Sequence, residues 1–502
     1  MSKIRVTYSG LIAFGINLIS VFTGLVFTLI VTRTLTPEEF GTWSLISGLM
    51  VYALILNPII NYWVTREIAR GEKSGKTGII SSGSFSLVGI SIYVIIAYFV
   101  GIQSDADENL LLFGAILIPI IFLNNTLGEI NKGWKPHTVS YGFIAFEISK
   151  IVFAIILVYY LDYGIYGAIL ATFFSYLPSI IILTIFAKPK IKDSFNFKYV
   201  KKWIKFFWIP TYRQVPSLLS LSDVLVFSVV TGSVVGVAYY SAARTIGFLV
   251  NHTRVLSRGL YPKLLETGKQ EFLQENLKSF FYFSFLIVGL SIGIAEAGLF
   301  ALNPIYTIGV NIVIILSVRS LFTSVNFIFF QALQGIEKID LNENATFKDY
   351  LKSKLMLFPT FQLIRNTIYF ISLAIMFYLL GDVTESEIDL VTYWALIGLV
   401  IEIPLSFYIY KLVRKEFTIK VEVFTIFKYL IVSIFSFGIM YLLIQKFLEF
   451  ENKIVIFLPN LLVFMIIGCS IYIGITYLTD NRTKNLVNTI IKEVMNGKKK
   501  GD

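Results

Sequence analysis

The chain has 502 residues, of which 56% are hydrophobic and only 15% charged, with a mean hydropathy of +0.74 and a formal net charge of +11. That apolar share exceeds the roughly 45–50% of ordinary globular domains and excludes a soluble multidomain protein. A single cysteine, Cys469, and only two histidines, His137 and His252, exclude an intrachain disulfide and a histidine-rich metal site.

Apolar runs of about 20 residues, the length that crosses a bilayer, recur throughout. They predict an all-α polytopic membrane protein with about fourteen transmembrane helices. The first six lie near 9–32, 43–61, 79–101, 110–131, 138–160 and 164–187. After a basic segment come 206–230, 234–256, 280–302, 307–335 and 355–380, then 391–411, 425–446 and 454–478. The opening run, Leu11 to Thr32, is too long for the apolar part of a cleavable signal and lacks a small-residue cleavage site.

Loop charge sets the expected orientation. With the N-terminus inside, the outer loops hold only Arg33, Lys446 and Lys453 among the basic residues. They are otherwise acidic: Asp105, Asp107 and Glu108, then Asp382, Glu385, Glu387 and Asp389. Nearly all other lysines and arginines fall on the inner side, so both termini are expected in the cytoplasm and the protein in the plasma membrane. The sequons at Asn124, Asn251, Asn344 and Asn481 then lie on the inner side, where they stay unmodified. The positive charge expresses this topology and an attraction to anionic inner-leaflet lipids, with no call on nucleic acid.

Three inner segments are more than links. Lys188 to Lys205 carries seven lysines among Phe195, Phe197, Tyr199 and Trp203, the pattern of an amphipathic piece on the inner leaflet. Glu337 to Lys354 is charged with mixed sign, as in a short surface helix. In the tail, Leu486, Val487, Ile490, Ile491 and Val494 share a helical stripe ahead of Lys498-Lys499-Lys500.

No enzyme motif is present: neither a Walker loop, nor Gly-x-Ser-x-Gly, nor paired cysteines. Asp105-Ala106-Asp107 is superficially similar to the acidic pair of metal-dependent membrane glycosyltransferases. Such enzymes have a sizeable outer domain, whereas every outer loop here is short, and a solvated acidic loop is the simpler reading.

Embedded charges carry the functional signal. Lys150, Arg244, Arg319 and Arg365 each sit about ten to thirteen residues into a span, close to the bilayer midplane at ~1.5 Å per residue. Arg213 lies nearer the inner face. The acids Glu147, Asp223, Glu296 and Glu402 share the membrane. Glu147 and Lys150 are three residues apart and can pair locally, while Asp223 and Glu296 are candidate partners for arginines or parts of an outer gate. Four cations at one depth on four helices point to a shared wet cavity, and hence to an anionic cargo that arginine's fork can grip. Pro58, Pro119, Pro178, Pro216 and Pro404 can bend helices around such a cavity or serve as packing kinks.

Two short links echo one another. Pro37-Glu38-Glu39-Phe40-Gly41-Thr42-Trp43 and Val235-Gly236-Val237-Ala238-Tyr239-Tyr240-Ser241 both join apolar runs, and their glycines are 195 residues apart. That offset suggests two similar halves.

These motifs carry a resemblance. Gly10-Leu11 through Arg33-Thr34-Leu35-Thr36-Pro37-Glu38-Glu39-Phe40-Gly41, then Thr65-Arg66-Glu67-Ile68-Ala69, resemble the opening of polysaccharide-biosynthesis membrane proteins. Asp223 and Gly236 through Ala243 resemble the start of their second half. These proteins form the oligosaccharide flippase branch of the multidrug/oligosaccharidyl-lipid/polysaccharide (MOP) exporter superfamily. The resemblance implies two six-helix lobes around a central cavity, here 1–187 and 206–415, joined by the linker 188–205. Helices 13 and 14, within 416–480, would stand outside the lobes, followed by a cytoplasmic tail, 481–502. It implies alternating access and movement of a polyprenyl-linked oligosaccharide from the inner to the outer leaflet. Arg244, Arg319, Arg365, Lys150 and Arg213 would then hold the (di)phosphate. The expectation is a transporter rather than an enzyme, a monomer with no cofactor and no metal, with the coupling ion, Na+ or H+, left open. Its partners would be the lipid-linked oligosaccharide, membrane lipids, and the glycosyltransferases or polymerase of the same pathway. The alternatives are an ion-coupled drug or metabolite exporter of the same superfamily, which favours acidic cavities, and a polytopic glycosyltransferase or polymerase.

Overall fold

A computed structural model describes residues 22–257, 260–267, 271–337, 339, 347–381, 386–418, 423–481 and 483–485. Gly10-Leu11 and the start of the first span, the acids Asp382 and Glu385, the sequon at Asn344, the tail stripe from Leu486 and both termini lie outside these residues. The described chain is helices and short links.

It opens with α1 (Phe22–Thr34) and turns at Thr36 into α2 (Pro37–Ala69). Thr36 and Glu39 cap that helix reciprocally. The Glu39 N–H donates to the Thr36 hydroxyl at 3.3 Å, and the Thr36 N–H donates to Glu39 Oε2 at 3.0 Å. Pro37 at the first turn costs no hydrogen bond, so Thr-Pro-Glu-Glu is a helix start written in four residues. α2 tightens to a 3-10 turn at Leu54–Leu56, where Pro58 has no N–H to offer the Leu54 carbonyl.

Next come α3 (Gly75–Gln103), α4 (Glu108–Trp134), α5 (His137–Tyr160) and α6 (Gly164–Lys190). α4 tightens at Gly114–Ile116 ahead of Pro119 for the same reason. A nine-residue helix, α7 (Phe197–Lys205), precedes α8 (Trp208–Leu221) and α9 (Asp223–Thr231), which bend by 41° at Ser222. α10 (Val235–Gly247) runs into a 3-10 segment, Phe248–Ser257. There follow α11 (Leu260–Thr267), α12 (Glu271–Gly293), α13 (Ala295–Leu302) and α14 (Pro304–Gly335). The last are α15 (Phe347–Lys352), α16 (Lys354–Leu380), α17 (Glu387–Glu416), α18 (Val423–Phe447) and α19 (Ile454–Thr479).

Among the described residues eleven helices are long and apolar enough to cross a membrane, or twelve with the bent α8–α9 pair taken as one span. The chain is a multi-pass helical membrane protein. Three of the fourteen expected spans fall outside the eleven: the first is described only from Phe22, 206–230 is bent, and 234–256 leaves α-helical bonding after Gly247. Large apolar side chains face outward, as a lipid solvent requires. Leu87, Ile95 and Phe99 do so on α3, and Ile364, Ile371 and Ile375 on α16.

By packing, the described chain divides into two units. One lies within Met1–Ala242 and Pro359–Ile397, the other within Ala243–Phe358 and Gly398–Asp502. This is a different cut from the lobes expected from the sequence, since α8 and α9 pack with α2 and α3 in the first unit. That unit has a core of Ile60, Val64, Ile68, Leu127, Ile130, Leu183, Ala187 and Trp203. Trp203 comes from α7, so the basic linker is anchored. Its indole N–H donates to Glu67 Oε2 at 3.2 Å, and Lys202 Nζ donates to Glu67 Oε1 at 3.0 Å. Glu67, only 2% exposed, thereby explains why Thr-Arg-Glu-Ile-Ala closes α2.

The two echoed glycines lie in the same unit, each at a close approach. A Cβ at Gly41 would collide with the Val234 carbonyl, and one at Gly236 with the Phe227 ring. Asp105 clasps this link from the α3–α4 loop. Its Oδ1 accepts from Val234 N–H at 2.8 Å, and its N–H donates to the Gly232 carbonyl at 2.7 Å. Asp107 caps α4, accepting from the N–H groups of Asn109 and Leu110. Neither acid is merely solvated. In the second unit α18 and α19 are tied to α12, through Ser433 to the Phe285 carbonyl and Tyr472 to the Tyr282 carbonyl.

Candidate functional site

Asn57 and Asn61 are four residues apart on α2 and share a face, directly after the turn that Pro58 imposes. On α4, Asn125 and Glu129 repeat that spacing, beside Asn124 and Lys132. These faces meet Phe146 of α5, Tyr176 and Ser179 of α6 and Gln214 of α8 around a cavity of about 760 Å³ inside the first unit. The size is in the range of small-molecule sites, about 300–1,000 Å³.

Hydrogen bonds fix the amides. Asn57 Oδ1 accepts from Asn61 Nδ2 at 2.5 Å and from Asn125 Nδ2 at 3.3 Å. Asn61 Oδ1 accepts from the Thr126 hydroxyl at 3.0 Å, and Asn124 Oδ1 from the Ser179 hydroxyl at 2.8 Å. Asn57 Nδ2 is buried and has no partner among the described residues. Such a donor is costly unless water or a ligand reaches it.

A second cleft of about 520 Å³ shares Asn61, Glu129, Lys132 and Gln214 and adds Thr65 and Arg66. Glu129 receives Lys132 Nζ at 3.1 Å and the Thr65 hydroxyl at 2.5 Å. Arg66 lies over the Tyr62 ring at 5.3 Å. This cluster therefore holds two cations against one acid.

The candidates read from the sequence lie elsewhere. The Arg213 side chain is outside the described residues. None of the other four cations lines either cavity. Lys150 comes nearest: its ammonium sits 4.4 Å from the Phe27 ring centroid and 5.7 Å from that of Phe146, a cavity wall. Glu147, one turn earlier, accepts from the Thr23 hydroxyl. Arg365, in the first unit, donates through Nε to Asn366 Oδ1 at 2.9 Å. Arg244 and Arg319 belong to the second unit, the first over the Phe248 ring at 4.9 Å, the second against Gly398. Of the remaining acids, Asp223 ends a buried chain in which Trp394 donates to Tyr369 at 2.8 Å and Tyr369 donates to Asp223 at 3.1 Å. Glu402 accepts from Asn326 Nδ2 at 2.7 Å, and Glu296 from Gln445 at 2.6 Å. Among the described residues no three His, Cys, Asp or Glu side chains gather as a metal site.

The residues that sequence reading missed are mostly neutral: Asn57, Asn61, Asn125, Ser179 and Gln214, with the charged pair Glu129 and Lys132, and with Asn124 noticed only as a sequon. Their signal was the four-residue spacing of amides within apolar runs.

Comparison with known proteins agrees with this architecture. A family model described as "Polysaccharide biosynthesis protein" matches residues 7–266. Among curated proteins none matches. Of solved structures, the lipid II flippase MurJ in an inward closed conformation superposes with a TM-score of 0.65 at 17% identity, over 93% of this chain and 99% of that one. An inward-facing multidrug resistance MATE family transporter of the MOP superfamily gives 0.58 at 16% identity, over 79% of this chain and 95% of that one. A MOP superfamily transporter from Pyrococcus furiosus, described as having a binding pocket of reversed polarity, gives 0.52 at 15% identity, over 81% and 94%. At these identities the likeness establishes the fold, which is that of MOP-type transporters.

Proposed function

The chain belongs to the polysaccharide biosynthesis protein family, and from that premise we propose that it flips a polyprenyl-(di)phosphate-linked oligosaccharide from the inner to the outer leaflet by alternating access. Family and fold are those of transporters, which are not enzymes. One observation supports the glycan reading above others. The cavity of about 760 Å³ sits on membrane-embedded helices, and beside apolar side chains and the Glu129–Lys132 pair its lining offers neutral amides and hydroxyls, the groups that exchange hydrogen bonds with sugar hydroxyls. A cationic drug would want unpaired carboxylates, and the cavity's Glu129 is already engaged by Lys132 and Thr65.

The diphosphate needs compensating charge in a low-dielectric setting. We assign that role to Arg244, Arg319 and Arg365, with Lys150 and Arg213 as further candidates. Alanine at these arginines should impair flipping while insertion continues, and lysine should rescue only in part because it loses the two-pronged grip. Fourteen spans, with both termini inside, complete the proposal. A reporter at Lys192 should read inside and one at Asp107 outside.

The test is reconstitution into vesicles with a fluorescent polyprenyl-diphosphate oligosaccharide. Label should become accessible across the membrane only with the protein present. Accumulation of a cationic dye without glycolipid movement would support the drug exporter instead.

A further inference from the structure

The amides of the first unit do more than line space. We propose that Asn57, oriented by Asn61 and Asn125 and joined by Gln214, is a sugar-reading subsite that sets specificity for uncharged, hydroxyl-rich sugars of the cargo. This rests on the flippase reading and sharpens it.

The geometry of Asn57 carries the inference. Its oxygen already accepts two amide donors, Asn61 Nδ2 and Asn125 Nδ2, so the side chain is held in one orientation. That orientation leaves Nδ2 as a buried donor with no partner among the described residues, on a residue 4% exposed that lines the cavity. Asn61 is itself fixed by the Thr126 hydroxyl, and Thr126 in turn by Ser82 at 3.0 Å. A donor fixed by a chain of hydrogen bonds and left unpartnered on a cavity-lining residue is selective. A ligand hydroxyl satisfies it, and a ligand without one leaves it unpaired at the full cost of desolvation.

Two neighbours suit the same class of ligand. Phe146 and Tyr176 face the cavity with ring centroids 4.5 Å apart, an apolar wall for the C–H face of a pyranose. Gln214 borders both the cavity and the inner cleft and makes no hydrogen bond to the protein among the described residues, so its amide is available to a ligand. Neutral amides also explain why the subsite carries no net charge to repel a sugar's oxygen atoms or to attract a cation. Lys132 lines the cavity too, and its charge is met there by Glu129 at 3.1 Å.

The experiment uses the full chain in lipid nanodiscs and two kinds of probe: farnesyl diphosphate, and farnesyl diphosphate carrying glucose, galactose or N-acetylglucosamine. Wild type should bind at least one glycosylated probe about tenfold more tightly than the bare diphosphate, the worth of about one well-made hydrogen bond. Asn57→Leu, of nearly the same shape, should erase most of that margin and leave affinity for the bare probe unchanged. Gln214→Leu breaks no protein hydrogen bond and so keeps the fold even where Asn57→Leu does not. It should reduce the margin about threefold. Equal binding of all probes by wild type, with glycolipid translocation intact, overturns the subsite and leaves the flippase standing. A full margin retained by both variants does the same. Failure of every probe to bind, together with no translocation, sinks both readings.

Discussion

Polar side chains behave oppositely in the two packed units. In the first, Asn57, Asn61, Asn124 and Asn125 bond between helices and still line a cavity. In the second they close on one another. Asn326 of α14 donates to both Glu402 and Ser406 of α17, at 2.7 and 2.8 Å. Arg254 is gripped by Asn251, Thr323 and Ser324 within 2.9 Å. The difference follows from what each group demands of a membrane interior. A charge there must find partners at once, so it marks helix packing, whereas a neutral amide can wait for water or cargo and so marks space.

If that contrast is right, one kind of substitution should have two kinds of consequence. The largest loss of stability is expected in the second unit. Asn326→Leu removes a donor from Glu402, which is 1% exposed, and should cost about 2–3 kcal/mol. Detergent-extracted yield and melting temperature should fall, while transport per folded molecule stays near wild type. Normal melting with lost transport would place a transport role at Glu402 and break the comparison.

The counterpart in the first unit is Asn124→Ala. Only the Ser179 hydroxyl loses a partner, so melting should change by less than about 1 kcal/mol. Glycolipid flipping should drop about tenfold, measured in vesicles at equal protein density. Unchanged flipping would mean that the cavity is a packing defect rather than a passage.

A third variant separates clasp from chemistry in the outer loop. Asp105→Ala frees the Val234 N–H and should lower stability by about 1 kcal/mol, whereas Asp105→Asn keeps the Oδ1 acceptor and should melt like wild type. Loss of function in Asp105→Asn at normal stability would revive the acidic-pair reading of Asp105-Ala106-Asp107.

Much of the fold was legible because bilayers impose length and apolarity, and eleven of the fourteen expected spans fall on described helices long and apolar enough to cross a membrane. Thr36-Pro37-Glu38-Glu39 was legible as a motif, and its cause is now plain as a reciprocal cap. The site was harder to read. Charge is conspicuous in an apolar run, so Arg244, Arg319 and Glu402 drew attention. Asn57 and Asn61 did not, because one amide in a helix is commonplace and only its facing partner on α4 gives it meaning. Pairing between α2 and α4 is a tertiary fact that no single helix encodes. The linker shows the same limit. Its amphipathic pattern was readable, but its anchoring through Glu67 was not, since Glu67 and Trp203 are far apart in sequence.

The smallest expected effect belongs to the C-terminal end of α19, where Asp480 is 16% exposed at its side chain. Burial alone would raise its pKa. Hydrogen bonds from Tyr429 at 2.7 Å and Thr483 at 2.8 Å, with Lys428 at 3.6 Å, outweigh that and hold the carboxyl below its ordinary value of 3.8. The unfolded chain therefore takes up the proton first as acid is added. The stabilisation is fully present above the ordinary value and is lost as the pH falls through the lower, folded one. The melting difference between wild type and Asp480→Asn should be flat from about pH 7 to pH 5 and shrink below about pH 4. A difference that widens on acidification would mean that the folded carboxyl is raised. The tie between α18 and α19 would then run through a protonated Asp480 donating a hydrogen bond, the reverse of a second unit held together by satisfied charge.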